Sequence, residues 1–491
     1  MNTALSWKLR PRIGGVGGSY YKRGGGGSCC RRHRNLILAV FCLSLAGFYI
    51  AAVARMVNRS PLAKRKTNSV SFENIPADVA GWKALRSKVK RRPITTLSKL
   101  SYWNRHTYDH SSDQKHSSHD RYVTFEDDTG GWNNIRMAFE GFVAVAKLTK
   151  RTLVLPPSCR FYLLDYGPIK LFKKNDRKTF SNYGMFFDLD DLRASGVDVI
   201  TTREFLDREA ASIRLPQKIE KDARLEPQPK AVTNGHHTPY FYWLRESPDV
   251  QIWPTHFQSR KAFSPDLGEE ISKTRKILHF PMQISKDYRY LSGVPQLLRP
   301  ASSTTKRSVV AFLRDSLHYN ERFFREAAEI IDQLGGIGAY DAMHIRRNDL
   351  QYHDQFISAK ESAERSSAHL KPNAVVYLAT DETEEGFFAA FEQMGFTVKR
   401  LSDFRSEFSK FDGMVEQIVC AASRMFAGTK YSTFTAYIQR LRGFMHPEKE
   451  LWRKCFYHTE ARAGRQGVCN RDLFGGDALL YPESDVYGRS K

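Results

Sequence analysis

Tyr340-Asp341-Ala342-Met343-His344-Ile345-Arg346-Arg347-Asn348-Asp349 reads as a strand that empties into one imidazole and two guanidiniums. The Gly335-Gly336-Ile337-Gly338 run before it breaks the preceding pattern, so the strand starts fresh after a turn. In open α/β sheets the carboxyl ends of strands are where ligands bind. A guanidinium's planar fork matches pairs of phosphate oxygens, which points to a cleft for a phosphorylated or nucleotide ligand.

Outward from this strand the pattern alternates. Helices are expected over Glu321–Leu334, Gly386–Met394, Met414–Met425 and Thr433–Leu441, and strands over Ala342–Ile345, Ala374–Leu378, Thr397–Leu401 and Met425–Ala427. The amino-terminal side repeats the theme. Arg121–Phe125 reads as a strand, Asn134–Leu148 as a helix, and Arg151–Leu155 as a strand stopped by Pro156-Pro157. A helix and a strand follow at Phe186–Leu192 and Val197–Thr201, whereas residues 210–300 give no clear period. Such alternation predicts parallel sheets flanked by helices, in two halves with a cleft between them.

The net charge of +23 is unevenly spread. Residues 1–120 carry 22 Lys/Arg against 5 Asp/Glu, hence 17 of the 23, and the remaining 371 residues are close to balanced. A nucleic-acid partner is therefore not expected, since its basic patch belongs on the folded part. Leu36–Ala54 holds 19 residues without a charge, about enough to cross a bilayer as a helix. Eight Lys/Arg and no acid precede it, which favours a cytosolic amino terminus and a lumenal remainder. The expected organisation is a basic tail over 1–35, a signal anchor over 36–54, a stem over 55–120, and two folded halves over 121–300 and 301–491. In an oxidising lumen Cys159, Cys420, Cys455 and Cys469 could form two bridges. Cys455–Cys469 is the favoured pair because 13 residues of loop-like sequence intervene.

Three segments together resemble the GDP-fucose-dependent protein O-fucosyltransferases. They are Gly130-Gly131-Trp132-Asn133-Asn134-Ile135-Arg136 with Thr152–Pro157, then His344–Asp349 with Tyr377–Asp381, and finally Glu416–Ala422 with Phe426–Thr429 and Ser432–Thr435. The order holds across about residues 121–470. The arrangement is most similar to the branch that acts on thrombospondin-type repeats, and the glycine-rich first segment also resembles plant-type members. The resemblance implies a GT-B-like fold of two Rossmann-like domains and inverting, metal-independent transfer of fucose from GDP-fucose to a hydroxyl of a protein or glycan. Apart from the resemblance, the charge pattern and the short span make single-pass type II topology in the endoplasmic reticulum or Golgi membrane the expectation, with a cleaved signal peptide as the competing reading.

Residue by residue, Arg346 matches the family arginine on the donor diphosphate, with His344 beside it and Arg347 in support. Ser432, Thr433 and Phe434 match residues on the same diphosphate, and a helix start there would favour an anion independently. Asp381 resembles the acid that reads the nucleoside; the other reading is a helix cap. Gly130 and Gly131 would let backbone approach ligand, and Asn133 or Asn134 matches an asparagine touching donor or acceptor. Trp132 fits core packing as well as an acceptor contact. The chain departs from the thrombospondin-repeat branch where that branch keeps a catalytic glutamate, because Thr129-Gly130 stands there instead. Asp128 is then the nearest carboxylate for a general base; a leaving phosphate oxygen, or loss of activity, are the other readings. A related rhamnosyltransferase and a non-catalytic sugar-nucleotide or glycan-binding protein are the alternative functions.

Overall fold

The computed structural model describes residues 96–97, 100, 118–127, 130–162, 164–165, 180–224, 239–253, 275–281, 294, 298, 301–347, 352, 355–407, 409–445 and 455–459. The basic tail, the Leu36–Ala54 span, most of the stem, Asp128, Asn348, Asp349 and Cys469 lie outside them. Among the described residues no helix is long and apolar enough to cross a membrane.

Two parallel five-stranded sheets form the frame. The first contains β1 (Ser118–Phe125), β2 (Arg151–Leu155), β3 (Val199–Thr201), β4 (Val250–Ile252) and β5 (Ile277–Phe280) in the order β3-β2-β1-β5-β4. The second contains β6 (Asp341–Ile345), β7 (Val375–Thr380), β8 (Thr397–Lys399), β9 (Phe426–Gly428) and β10 (Cys455–Tyr457) in the order β10-β9-β6-β7-β8. Every residue of β2, β5 and β6 is buried, as strands covered by helices on both faces require. The helices are α1 (Trp132–Thr149), α2 (Leu189–Ala194), α3 (Thr202–Glu209), α4 (Gln217–Arg224), α5 (Pro239–Glu246), α6 (Ser303–Ser316), α7 (Glu321–Gln333), α8 (Ala359–Ser367), α9 (Ala389–Gln393), α10 (Asp412–Ala421) and α11 (Thr433–Met445).

Several bounds differ from the sequence expectation for identifiable reasons. The helix expected over Met414–Met425 stops at Ala421, because the buried Arg442 guanidinium donates to the carbonyls of Cys420, Ala421, Ser423 and Arg424 and so closes the helix end. The chain is then free to turn into β9. The helix expected over Phe186–Leu192 is instead a 3-10 turn at Tyr183–Met185 followed by α2, which Asp188 caps by accepting from Asp191 N–H. Residues 210–300 supply α4, α5, the edge strand β4 and β5, which lies between β4 and β1. The carboxyl end of the expected stem is part of the fold: Leu100 is fully buried in the core, Thr96 hydroxyl bonds Asp332, and β1 begins at Ser118.

One apolar cluster runs through both halves, from Phe139 and Phe142 of α1 through Phe312 and Phe323 to Val419 and Ile438. A buried polar junction crosses it. Glu140 on α1 accepts from Arg136 at 2.5 Å and from both terminal nitrogens of Arg440 on α11, at 3.0 and 2.5 Å. Tyr437 lies between the guanidiniums, 3.6 Å from Arg136 and 4.7 Å from Arg440. Contacts pairing Arg136 with Tyr437 and Glu140 with Arg440 make α1 and α11 parallel neighbours, with their amino termini at the same end.

Candidate active site

In the second sheet the chain goes from β6 out to β7 and β8, then crosses to the other side of β6 to form β9. The gap between the carboxyl ends of β6 and β9 is thus a topological switch point, the place where open parallel sheets bind ligands. His344 and Arg346 leave β6 there, and Thr429 leaves β9.

Arg346 is held by its main chain, which donates to Thr429 Oγ1 at 2.9 Å. Its side chain remains a quarter exposed, with Nε 3.5 Å from Asp381 Oδ2. Asp381 follows β7 and also accepts from the Arg347 main chain at 2.8 Å, so it anchors both arginines. Arg347 turns elsewhere: it pairs with Glu382 at 2.8 Å, donates to Ile357 O at 2.9 Å and lies over Phe387. Its guanidinium braces the loop before α8.

His344 stacks on Phe434 with ring centroids 4.4 Å apart, and its Nδ1 lies 2.7 Å from Thr435 Oγ1. Burial and the neighbouring Arg346 push its pKa well below the ordinary imidazole value, so it is neutral. Gly428 makes this packing possible. A Cβ there would fall on Thr435 Cγ2 and 2.9 Å from its hydroxyl. Tyr431, just before Ser432, sits in the left-handed region with φ of 61° and turns the chain into α11.

Because α1 and α11 are parallel, the Gly130-Gly131 loop and Ser432–Thr433 arrive at the same end of the molecule. Gly131 gives α1 no side-chain cap, and neither helix has an acid in its first turn. The start of α11 therefore brings free amides and the positive end of a helix dipole to the switch point beside the Arg346–Asp381 pair.

Asn133 is not presented to this space. It is buried and accepts from Gln417 Nε2 at 2.9 Å, joining α1 to α10. Trp132 is core as well, stacked 3.9 Å from Phe186 with its indole N–H on Tyr319. Asn134 is half-buried in the first turn of α1. Of the carboxylates after β1, Glu126 is fully buried against Arg245 and His279, and Asp127 accepts from Tyr183 OH at 2.7 Å and Cys159 Sγ at 3.0 Å. Both are committed to structure. Cys159 and Cys420 are buried free thiols and Cys455 is disulfide-bonded.

A carboxyl not assigned from the sequence also belongs here. Glu416 on α10 lies near Tyr377 and Arg405, but burial, with Asp412 and Asp381 nearby, outweighs them and pushes its pKa up to about 8. Its only sequence signal is a polar pair, Glu416-Gln417, in an otherwise apolar helix. No group of three or more His, Cys, Asp or Glu among the described residues could hold a metal ion.

The model of the GDP-fucose protein O-fucosyltransferase family matches residues 122–445, which is 324 of the 491. The chain belongs to this family. As an O-fucosyltransferase family member it is a glycosyltransferase, and the match spans both sheets up to the end of α11. In fold it is similar to POFUT1 crystallised with GDP-fucose, at 16% identity over 66% of this chain and 95% of that one, TM-score 0.39. It is also similar to the NodZ alpha-1,6-fucosyltransferase co-crystallised with GDP, at 12% identity over 66% and 93%, TM-score 0.33. NodZ from Bradyrhizobium likewise aligns at 13% identity over 66% and 93%, TM-score 0.32. No curated protein matches the chain.

Proposed function

We propose that this glycosyltransferase moves fucose from GDP-fucose to a hydroxyl of a secretory-pathway protein or glycan, with inversion and without a metal. The observation that carries the reading is Arg346 leaving β6 at the switch point, where Thr429 of the β9 exit holds its main chain and the start of α11 follows. In the transfer, the acceptor oxygen bonds to the sugar's anomeric carbon as that carbon's bond to the diphosphate oxygen breaks. Negative charge grows on GDP while the sugar becomes cationic. Arg346 and the amides opening α11 are donors fixed in advance on the departing phosphate, where preorganised charge lowers the barrier most. Asp381, with Glu416 near it, is assigned to the N–H edge of the base.

Glu126 and Asp127 are committed elsewhere, so Asp128 is the carboxylate of that stretch assigned to take the acceptor's proton. Asp128→Asn keeps shape and removes basicity, and should slow transfer by about 100-fold to 10,000-fold while sparing GDP binding. Unchanged turnover would hand the proton to a diphosphate oxygen.

The decisive experiment incubates the lumenal part with a panel of labelled nucleotide sugars. Consumption of GDP-fucose is expected. Preference for another deoxysugar nucleotide would favour a rhamnosyltransferase, and GDP binding without consumption a non-catalytic binder. The membrane anchor and lumenal location rest on the charge pattern around Leu36–Ala54. Digestion of the domain in sealed microsomes without detergent would overturn them. The Cys455–Cys469 bridge is tested by non-reducing peptide mapping.

A further inference from the structure

Behind Arg346 lies a chain of hydrogen bonds that the transfer itself does not use. Thr429 Oγ1 accepts the Arg346 main-chain N–H at 2.9 Å and donates to His344 O at 3.0 Å. Its remaining partner is His458 Nε2 at 3.1 Å, and Ser362 Oγ on α8 lies 2.9 Å from His458 Nδ1. Ser362, Thr429 and His458 are all buried.

The protons in this chain are fixed by its ends. His458 Nε2 faces Thr429 Oγ1, whose own proton goes to His344 O, and lies beside that carbonyl, which can only accept. Nε2 must therefore carry the hydrogen, and Nδ1 must accept from the Ser362 hydroxyl. Burial lowers the pKa of His458 to about 3, so the ring stays neutral in this one tautomer at any working pH.

His458 belongs to the segment just after β10, at the far edge of the sheet. This segment also grips the β9 exit through one main-chain and one side-chain contact: His458 N–H donates to Gly428 O at 3.2 Å, and Thr459 Oγ1 accepts from Lys430 N–H at 3.1 Å. Three elements distant in sequence thus converge on the one residue that fixes where Arg346 leaves β6.

We infer that His458 is a positioning residue for Arg346, acting with Ser362 through Thr429 to hold the guanidinium on the donor's terminal phosphate. The inference rests on the donor reading above. A guanidinium displaced by about 1 Å loses most of its value in such a site, so a relay that fixes the main chain on both sides of β6 sets the strength of the phosphate contact.

GDP and GMP differ by the phosphate Arg346 would hold, so the ratio of their affinities isolates this contact from the rest of the site. Calorimetry on the parent, His458→Phe and His458→Gln reads it. Phe keeps the packing and removes both hydrogen bonds, whereas Gln places an N–H near the Nε2 position. His458→Phe should lower the GDP-to-GMP ratio by about 10-fold with GMP binding nearly unchanged, and His458→Gln should restore it to within about 3-fold of the parent. An unchanged ratio in folded His458→Phe, or equal loss of both nucleotides, would overturn the inference. Should His458→Phe not fold, Ser362→Ala reads the same ratio with only a hydroxyl removed. A fall of about 3-fold is then expected, and no fall refutes the relay. A parent that binds GDP but transfers no fucose sinks only the donor reading, and a parent that binds no GDP sinks both.

Discussion

Glu140→Gln is the most informative single change in the frame that carries the site. Glu140 sits between Arg136, fully buried, and Arg440, 2% exposed, and it is the carboxylate that neutralises both. The amide keeps the volume but removes the charge with which both guanidiniums pair out of water. Breaking a buried pair in this way costs about 3–5 kcal/mol. Over the 324 family-matched residues, an unfolding entropy of about 2.1 cal/mol/K per residue gives roughly 0.7 kcal/mol/K, so a loss of about 4 kcal/mol lowers Tm by about 6 °C. Because this triad also sets the parallel alignment of α1 and α11, nucleotide binding should weaken in the folded variant. Calorimetric melting and GDP titration of the same preparation read both effects. Replacing all three residues by apolar ones of similar volume should recover most of the stability, since their mutual attraction mainly repays their own desolvation. A Tm within about 1 °C of the parent for Glu140→Gln would refute the reasoning.

Arg346→Ala should cut transfer by about 100-fold to 1000-fold in a folded protein, and Arg346→Lys should recover little because a point charge cannot reproduce the fork; near-normal steady-state rates would remove Arg346 from the site. For Glu416 the folded pKa lies above the unfolded one, so the fold is favoured at low pH and this contribution is lost as pH rises from 4.5 through about 8. The full displacement would be worth about 5 kcal/mol, trimmed by solvent access at a half-buried position to about 1–2 kcal/mol. Glu416→Gln should flatten urea-derived stability between pH 6 and 8 and reduce preference for GDP over ADP, and a parallel pH profile would clear Glu416 of the effect. Gly428→Ala should cost about 1–3 kcal/mol by overpacking against Thr435 and should impair transfer through His344, with a neutral melting curve as the contrary outcome.

The elements that could be read from sequence are those whose own pattern suffices. β2 ends in the apolar run Leu153-Val154-Leu155 closed by two prolines, and α1 carries a wide apolar face over 18 residues. β6 with its arginines stood out because strand and chemistry are adjacent in the chain. What escaped depends on partners. α6 opens Ser303-Thr304-Thr305-Lys306, which resembles a loop until Ser302 caps it and Phe312 packs under Lys147. β4 has three residues and β5 four, too short for a period, and they exist as strands because β1 receives β5 and β5 in turn receives β4. Asn133 could not be oriented from its motif, since its direction is decided by Gln417, 284 residues away. The same holds for His458, whose role appears only once β10 lies beside β9.

The continuous core and the Arg136–Glu140–Arg440 junction bear on how this enzyme could be re-engineered by recombination. When two sheet domains meet only across a cleft, each is a module, and acceptor and donor halves from different relatives can be joined. Here the joint is written into both partners: Tyr437 must fit between two guanidiniums, and Glu140 must find Arg440. A chimera cut between β5 and β6 inherits a buried carboxylate whose partner comes from another lineage. Exchange of specificity between relatives is therefore better attempted by moving loops at the carboxyl ends of the strands, with α1 and α11 kept as a matched pair.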